Sequence, residues 1–185
     1  MSTASNGRVG QPHVEIEIDV APSPDTPTVT HEGERLEELI DGVRVRPAKV
    51  HVDARGSLTE VFSEAWDFSD EPLVYVYQST VRPGVTKGWV VHFEQDDRLF
   101  FDNGDVKVVL YDARVGSPTQ GMLNELFFGD ANRALIRIPA GVFHAVGNVG
   151  ETEARFVNMP TRPYRHDQPD KARLPQDTDA IPYRL

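Results

Sequence analysis

Three kinds of side chain in this sequence cover, between them, the steps of one reaction. His92 stands in KGWVVHFEQ, Tyr164 in MPTRPYRHDQPD, and the cations Lys87 and Arg98 flank the histidine. Inverting a carbon next to a ketone needs a base to remove the α-proton, a cation or donor to hold the enolate oxygen, and an acid on the opposite face. A histidine of ordinary pKa, about 6.5, takes up a proton at neutral pH, whereas a tyrosine near about 10 starts protonated and donates. His144, in IRIPAGVFHAVGN, is the next imidazole in line, either as base or as a substrate contact. A metal site would need histidines and carboxylates, because the chain contains no cysteine. His92, Glu94 and His144 make a weak set, and a positive Arg98 beside them opposes a divalent cation, so no metal is expected.

If KGWVVHFEQ is a strand, period-two alternation puts Val90, His92 and Glu94 on one face, where Glu94 would orient the imidazole. The positioning framework has to come from 185 residues, enough for one domain. Nineteen Lys and Arg against 29 Asp and Glu give a net charge of -10. That balance repels nucleic acid and anionic membrane, and no local basic patch offsets it, so neither partner is expected. The opening residues lack a basic start with an apolar block, and no apolar run approaches the roughly 18 residues of a spanning helix. A soluble, cytoplasmic protein is the expectation.

Residues 1–30 are rich in Ser, Thr, Pro and acids and predict a disordered acidic tail. In HEGERLEELIDGVRV, Leu36, Leu39 and Ile40 fall at helical spacing before Asp41-Gly42, which predicts one short helix opening a single domain over 31–185. From Val43 onward, short Val-, Phe- and Tyr-rich runs alternate with Gly, Pro or Asp turns, the pattern of an all-β sandwich or barrel. The proline-rich end, TRPYRHDQPDKARLPQDTDAIPYRL, predicts an extended loop wrapped over that body.

Two resemblances sharpen this reading. Pro139, Gly141, His144 and Asn148 follow P-x-G-x2-H-x3-N, which resembles the second cupin motif, while only remnants of the first survive in GWVVHFEQDDRLFFDNG. The succession DARGSLTEVF, YQSTVRPGVTKG, VHFEQ, DARVGSPTQG, IPAGVFHAVGN and a tyrosine-bearing loop resembles the dTDP-4-dehydrorhamnose 3,5-epimerase family. The resemblance spans roughly His51 to Tyr183 and implies a cupin double-stranded β-helix, or jelly-roll barrel. It also implies metal-independent, cofactor-free epimerisation or isomerisation of a dTDP-linked 4-keto-6-deoxy sugar.

By that resemblance, His92 is the counterpart of the family's general base in R-G-L-H-x-Q, with Lys87 in place of the arginine and one extra residue after Gly88. Asp53, Arg55, Gly56, Leu58 and Glu60 match D-x-R-G-x-F-x-E, which implies nucleotide contacts for Arg55 and Glu60. Gln78, Lys87 and His144 are the further substrate contacts expected. For the family's keto-polarising lysine the nearest residue is Arg98, Tyr164 is the counterpart of the acid, and Asp177 or Asp179 of the aspartate that orients the base. The family also implies a homodimer whose segment Arg55–Phe62 reaches the partner's nucleotide site. Two other readings are a sugar-nucleotide-binding cupin without catalysis and a metal-dependent cupin enzyme.

Overall fold

The computed structural model describes residues 25–32 and 35–185. Most of the expected tail, residues 1–24, lies outside the described residues. What is described divides into two units after Glu37. In the first, Val29 bridges Arg35, the Leu36 amide donates to the Thr28 carbonyl (3.0 Å), and Arg35 pairs with Glu37.

The short helix expected from Leu36, Leu39 and Ile40 does not form. The Asn124 side chain accepts from the Ile40 amide (2.9 Å) and donates to the Glu38 carbonyl (2.9 Å), satisfying main-chain groups that a helix would otherwise pair internally. Gly42 follows in the left-handed region (φ +80°), and Ile40 is buried in the core. Long-range pairing thus outweighs local helical spacing.

The second unit contains twelve strands: β1 (Arg44–Pro47), β2 (Val50–Asp53), β3 (Gly56–Thr59), β4 (Tyr77–Val81), β5 (Thr86–Val91), β6 (Asp97–Asn103), β7 (Asp105–Asp112), β8 (Leu123–Gly129), β9 (Ala134–Ile138), β10 (Val142–Asn148), β11 (Ala154–Asn158) and β12 (Ala172–Arg173). They form two five-stranded sheets, ordered β1-β9-β6-β11-β4 and β12-β5-β10-β7-β8, with the β2–β3 hairpin separate. All pairings are antiparallel. Leu99, Phe101, Val108, Leu110, Ile136 and Val146 fill the space between the sheets. This is the jelly-roll expected from the motifs.

The continuous apolar character of RLFF in β6 has a direct cause. Leu99 and Phe101 face the central core, while Phe100 packs outward with Phe68, Leu135 and Met159 beneath Phe62 and Trp66. A strand covered on both faces cannot show hydrophobic alternation. The proline-rich C-terminal segment does lie over the body. Ile181, Leu174, Tyr183 and Leu185 cover Trp89, Val109 and Ala145 on the outer face of the second sheet, and Trp89 meets Tyr183 edge to face at 6.3 Å. Trp89 is therefore a core residue.

Candidate active site

The site grows from the way β5 is forced against β10. A Cβ on Gly88 would sit 2.4 Å from the Ala145 Cβ, so only glycine permits this approach. Val90 pairs with His144 and Lys87 with Val146, which places three residue steps on β5 opposite two on β10. The extra residue after Gly88 is thus absorbed as a bulge, a device that re-aims the following side chains. His92 comes just past β5, where its carbonyl accepts from the Gly141 amide (2.7 Å). Gly141 stands in the turn between β9 and β10 at φ +81°. The P-x-G-x2-H motif therefore secures both histidines at once. Asn148 closes its other end by donating to the Val81 and Thr152 carbonyls (2.8 and 2.7 Å).

His92 and His144 stack with ring centroids 5.7 Å apart, and both are buried. Between them lies a residue that sequence reasoning did not select. Asp97, the first residue of β6, places Oδ2 3.4 Å from Nε2 of each imidazole. Its Oδ1 accepts from Gln95 Nε2 at 3.0 Å. His92 Nδ1 bonds to the main-chain carbonyl of Asp170, whose carboxylate accepts from the amides of Phe93, Glu94 and Gln95 (2.9 to 3.0 Å). The turn after β5 is thus clamped by the C-terminal segment.

Burial works against charge on Asp97, but hydrogen bonds and charge from His144 and His92 hold its carboxyl far below the usual range. Burial also opposes charge on His92, yet the bond to Asp97, its charge and the Asp170 carbonyl together raise the imidazole above 6.5. The sign follows directly. A base must be unprotonated to act, so proton abstraction by His92 should increase with pH through a midpoint above 6.5, as read from a pH profile of kcat/KM. The stability contributed by the His92–Asp97 contact is present below the unfolded imidazole pKa and is lost as pH rises through the higher folded one.

Two cavities share this wall. One of about 430 Å³ is lined by His92, Asp97, His144, Lys87, Lys171 and Arg173 among others. The other, about 510 Å³, is lined by Tyr75, Tyr77, His92, Tyr164, Arg165 and Lys171 with neighbouring residues. Tyr77, which lines both, receives a 2.8 Å hydrogen bond from Asn158 Nδ2. Burial, then the charge of Asp97, pushes its pKa up to about 12. Lys171 lines both cavities as well, and partial desolvation lowers its pKa.

The other residues singled out by sequence fall in several places. Tyr164 is exposed at the rim of the larger cavity, its ring edge to face with His166 at 4.8 Å. Lys87 lines the smaller one and donates to Ser79 Oγ (2.9 Å). Gln78 is exposed on the face of β4 opposite Tyr77 and Ser79. Arg98 does not face the histidines: it is 0% exposed and donates to the carbonyls of Met159, Glu71, Pro72 and Pro160. Alternation along β6 turns Asp97 inward and Arg98 outward, where it lies over the Phe62 ring at 5.0 Å.

Glu94 lies beyond the end of β5 and meets Arg165 at 3.4 Å, so it does not orient the imidazole. Asp177 is exposed, with its carbonyl bound by Arg184, and Asp179 pairs with Arg184 (2.7 Å); neither touches His92. The aspartates that do are Asp97, through its carboxylate, and Asp170, through its main-chain carbonyl. Arg55 pairs with Asp53 at the tip of the β2–β3 hairpin, and Glu60 is exposed just beyond it; neither lines the cavities around His92. Asp112 holds the DARVGSPTQG turn through Arg114, Ser117 and Thr119 (2.6 to 2.9 Å). Burial opposes ionisation there, but these donors keep the carboxyl well below its ordinary range.

Comparison with known proteins then decides the family. The model of the dTDP-4-dehydrorhamnose 3,5-epimerase family matches residues 37–183. The chain belongs to this family. It is 39% identical over 139 residues to a probable low-salt glycan biosynthesis epimerase of Haloferax volcanii, covering 75% of this chain and 89% of the relative. The spore coat polysaccharide biosynthesis protein SpsL of Bacillus subtilis is 37% identical over 147 residues, with 77% and 94% covered. Among solved structures, a dTDP sugar isomerase from Desulfovibrio desulfuricans superposes with a TM-score of 0.71 at 29% identity, covering 78% of this chain and 90% of that one. For a member of the dTDP-4-dehydrorhamnose 3,5-epimerase family, Asp97, Asp170, Lys171 and Tyr77 are the neighbours of the histidine pair that sequence alone did not supply. A phase signal existed for Asp97, since it precedes Leu99 and Phe101 by even steps, but Phe100 made both phases apolar.

Proposed function

We propose that the protein is a sugar-nucleotide epimerase or isomerase that removes a proton next to the keto group of a dTDP-linked 4-keto-6-deoxy sugar. The observation that carries this reading is the buried His92, held through Nδ1 by the Asp170 carbonyl and lining two cavities that also present Lys171, Tyr77 and Tyr164. His92 acts as base, Lys171 holds the enolate oxygen in place of Arg98, and Tyr164 returns the proton, with Tyr77 as a second donor. The cations Lys87, Lys171 and Arg173 around the smaller cavity suit the diphosphate, which an otherwise acidic chain must meet with local positive charge. Among the described residues no helix is long and apolar enough to cross a membrane, and we place the enzyme in the cytoplasm, where activated sugars are drawn on.

The test is solvent deuterium incorporation into 4-keto sugar nucleotides. Deuterium at C3, C5 or both names the carbon that is deprotonated, and an inverted configuration there in the product supports epimerisation. Tight binding without incorporation would favour the binding-module reading.

The functional unit in this reading is a homodimer. An isolated two-stranded hairpin is marginal in water, yet β2–β3 carries Val52 at 76% and Leu58 at 61% exposure, with Val50 beside them. A partner surface is the natural cover, and Arg55 at the tip then reaches the partner's nucleotide site. Light scattering is expected to give twice the 20.7 kDa chain mass, and Leu58→Asp to shift it to the monomer. A wild-type monomer at micromolar concentration would refute this assembly.

A further inference from the structure

On the wall of the smaller cavity, one buried amide is only half satisfied. Asn158, 2% exposed, donates through Nδ2 to the Tyr77 hydroxyl (2.8 Å), while its Oδ1 is buried without a partner. A buried acceptor left unpaired is rare in a folded protein and points to a group that arrives from outside. The same bond is incomplete from the side of Tyr77. Its hydroxyl oxygen accepts from the amide, so its own hydrogen is left to donate elsewhere. Burial, then the charge of Asp97, pushes the phenol up to about 12, so that hydrogen stays in place across neutral pH.

The strands fix where this pair lies. Asn158 shares its face of β11 with Ala154 and Phe156, and Tyr77 shares its face of β4 with Val81, so both side chains turn toward the interior that those core residues fill. Register aligns Tyr77 with Asn158 and Asn158 with Leu99. Asp97 precedes Leu99 by two residues on the same face of β6, which makes it the diagonal neighbour of Asn158, about 7–8 Å away. Tyr77, Asn158, Asp97 and His92 line the smaller cavity together, with apolar Leu99 and Phe156 beside them. In such surroundings a hydrogen bond gains strength, and one left unmade is costly.

What the pair offers is one donor and one acceptor. A keto oxygen would use only the donor and an ammonium only the acceptor, each leaving the other half unpaired, whereas a hydroxyl uses both. Turning the amide over exchanges the roles, with Tyr77 donating to Oδ1 and Nδ2 left to donate, and the offer is the same. We propose that Asn158 and Tyr77 read a ring hydroxyl of the sugar near the carbon that His92 deprotonates, which makes them specificity-determining residues. This subsite rests on the proposed function in taking its ligand to be a 4-keto sugar nucleotide. It narrows the substrate class to sugars that keep the hydroxyl, against their dideoxy counterparts.

The experiment compares a dTDP-linked 4-keto-6-deoxy sugar bearing hydroxyls at C2 and C3 with its 2-deoxy and 3-deoxy analogues, in deuterium exchange and in calorimetric binding to the full chain. A site built to bond a hydroxyl rejects the analogue lacking it by about 10⁴- to 10⁵-fold. Tyr77 is 38% exposed, so a ratio of at least about a hundredfold in kcat/KM against one analogue is expected, and that analogue names the hydroxyl. Asn158→Leu and Tyr77→Phe should bring the ratio to within a few-fold, mainly through loss on the hydroxylated substrate. A purely structural defect would lower all substrates together and leave the ratio as it was. Circular dichroism verifies the fold, and Tyr77→Phe, which removes a single oxygen, serves if Asn158→Leu does not fold. Equal use of all three substrates by the wild type, or a ratio unchanged in a folded variant, overturns the subsite and leaves epimerisation standing. Preferential binding of the hydroxylated sugar, lost in the variants but accompanied by no exchange, keeps the subsite and removes the epimerase reading. Binding of no member of the set overturns both.

Discussion

His92→Asn is expected to reduce deuterium exchange into the 4-keto sugar nucleotide by at least about a hundredfold while nucleotide affinity stays within a few-fold. A positioned general base contributes about 10²- to 10⁴-fold, and asparagine keeps much of the side chain's volume without a group that takes up the α-proton. The lost interaction belongs to the transition state, so kcat and kcat/KM should fall together with little change in KM for binding alone. Exchange that persists in the variant would assign the base elsewhere, with His144 next in line across the stacked pair. Tyr164→Phe separates the second half of the reaction. Exchange should continue, because the base is intact, while inverted product disappears. Continued inversion would transfer the acid role to Tyr77, which the Asn158 bond already holds at the shared wall of both cavities.

Arg98→Met should produce the largest loss of stability without resembling a loss of chemistry. The guanidinium binds four main-chain carbonyls, two of them in the segment at Glu71 and Pro72 and two at Met159 and Pro160. Removing a buried donor leaves acceptors that cost about 1–3 kcal/mol each, so a total of about 3 kcal/mol or more is expected. For a chain of this size that corresponds to a fall in Tm of about 6–12 °C, measurable by thermal unfolding. Arg98→Lys should recover little, because a single ammonium cannot reproduce the planar fork. A rate loss as large as that of His92→Asn in a fully folded Arg98 variant would return Arg98 to the enolate.

Those two positions also mark the boundary between what residue types dictate and what packing decides. By itself the sequence determined the strand-rich body, because short β-branched and aromatic runs broken by Gly and Pro have few other ways to bury their surface. It also determined that His92 and His144 were the imidazoles to consider, since P-x-G-x2-H and the turn signals place them locally. It pointed to the family through motifs spread over most of the chain. Period-two reasoning then failed at one residue. Glu94 was expected inside because it shares parity with His92, but β5 ends at Val91 and the turn resets the phase. In β6, apolar neighbours on both faces erased the alternation that would have separated Asp97 from Arg98.

The remaining decisions belong to the tertiary structure because they join residues far apart in the chain. Asp170 and Lys171 reach His92 across 78 residues only because β12 pairs with the edge of β5. Ile40 is held out of a helix by Asn124, 84 residues away. Local spacing carries no record of such pairings; they exist because buried polar groups must find partners wherever the fold brings them. The sequence supplied the histidines, and the packing supplied the aspartate between them.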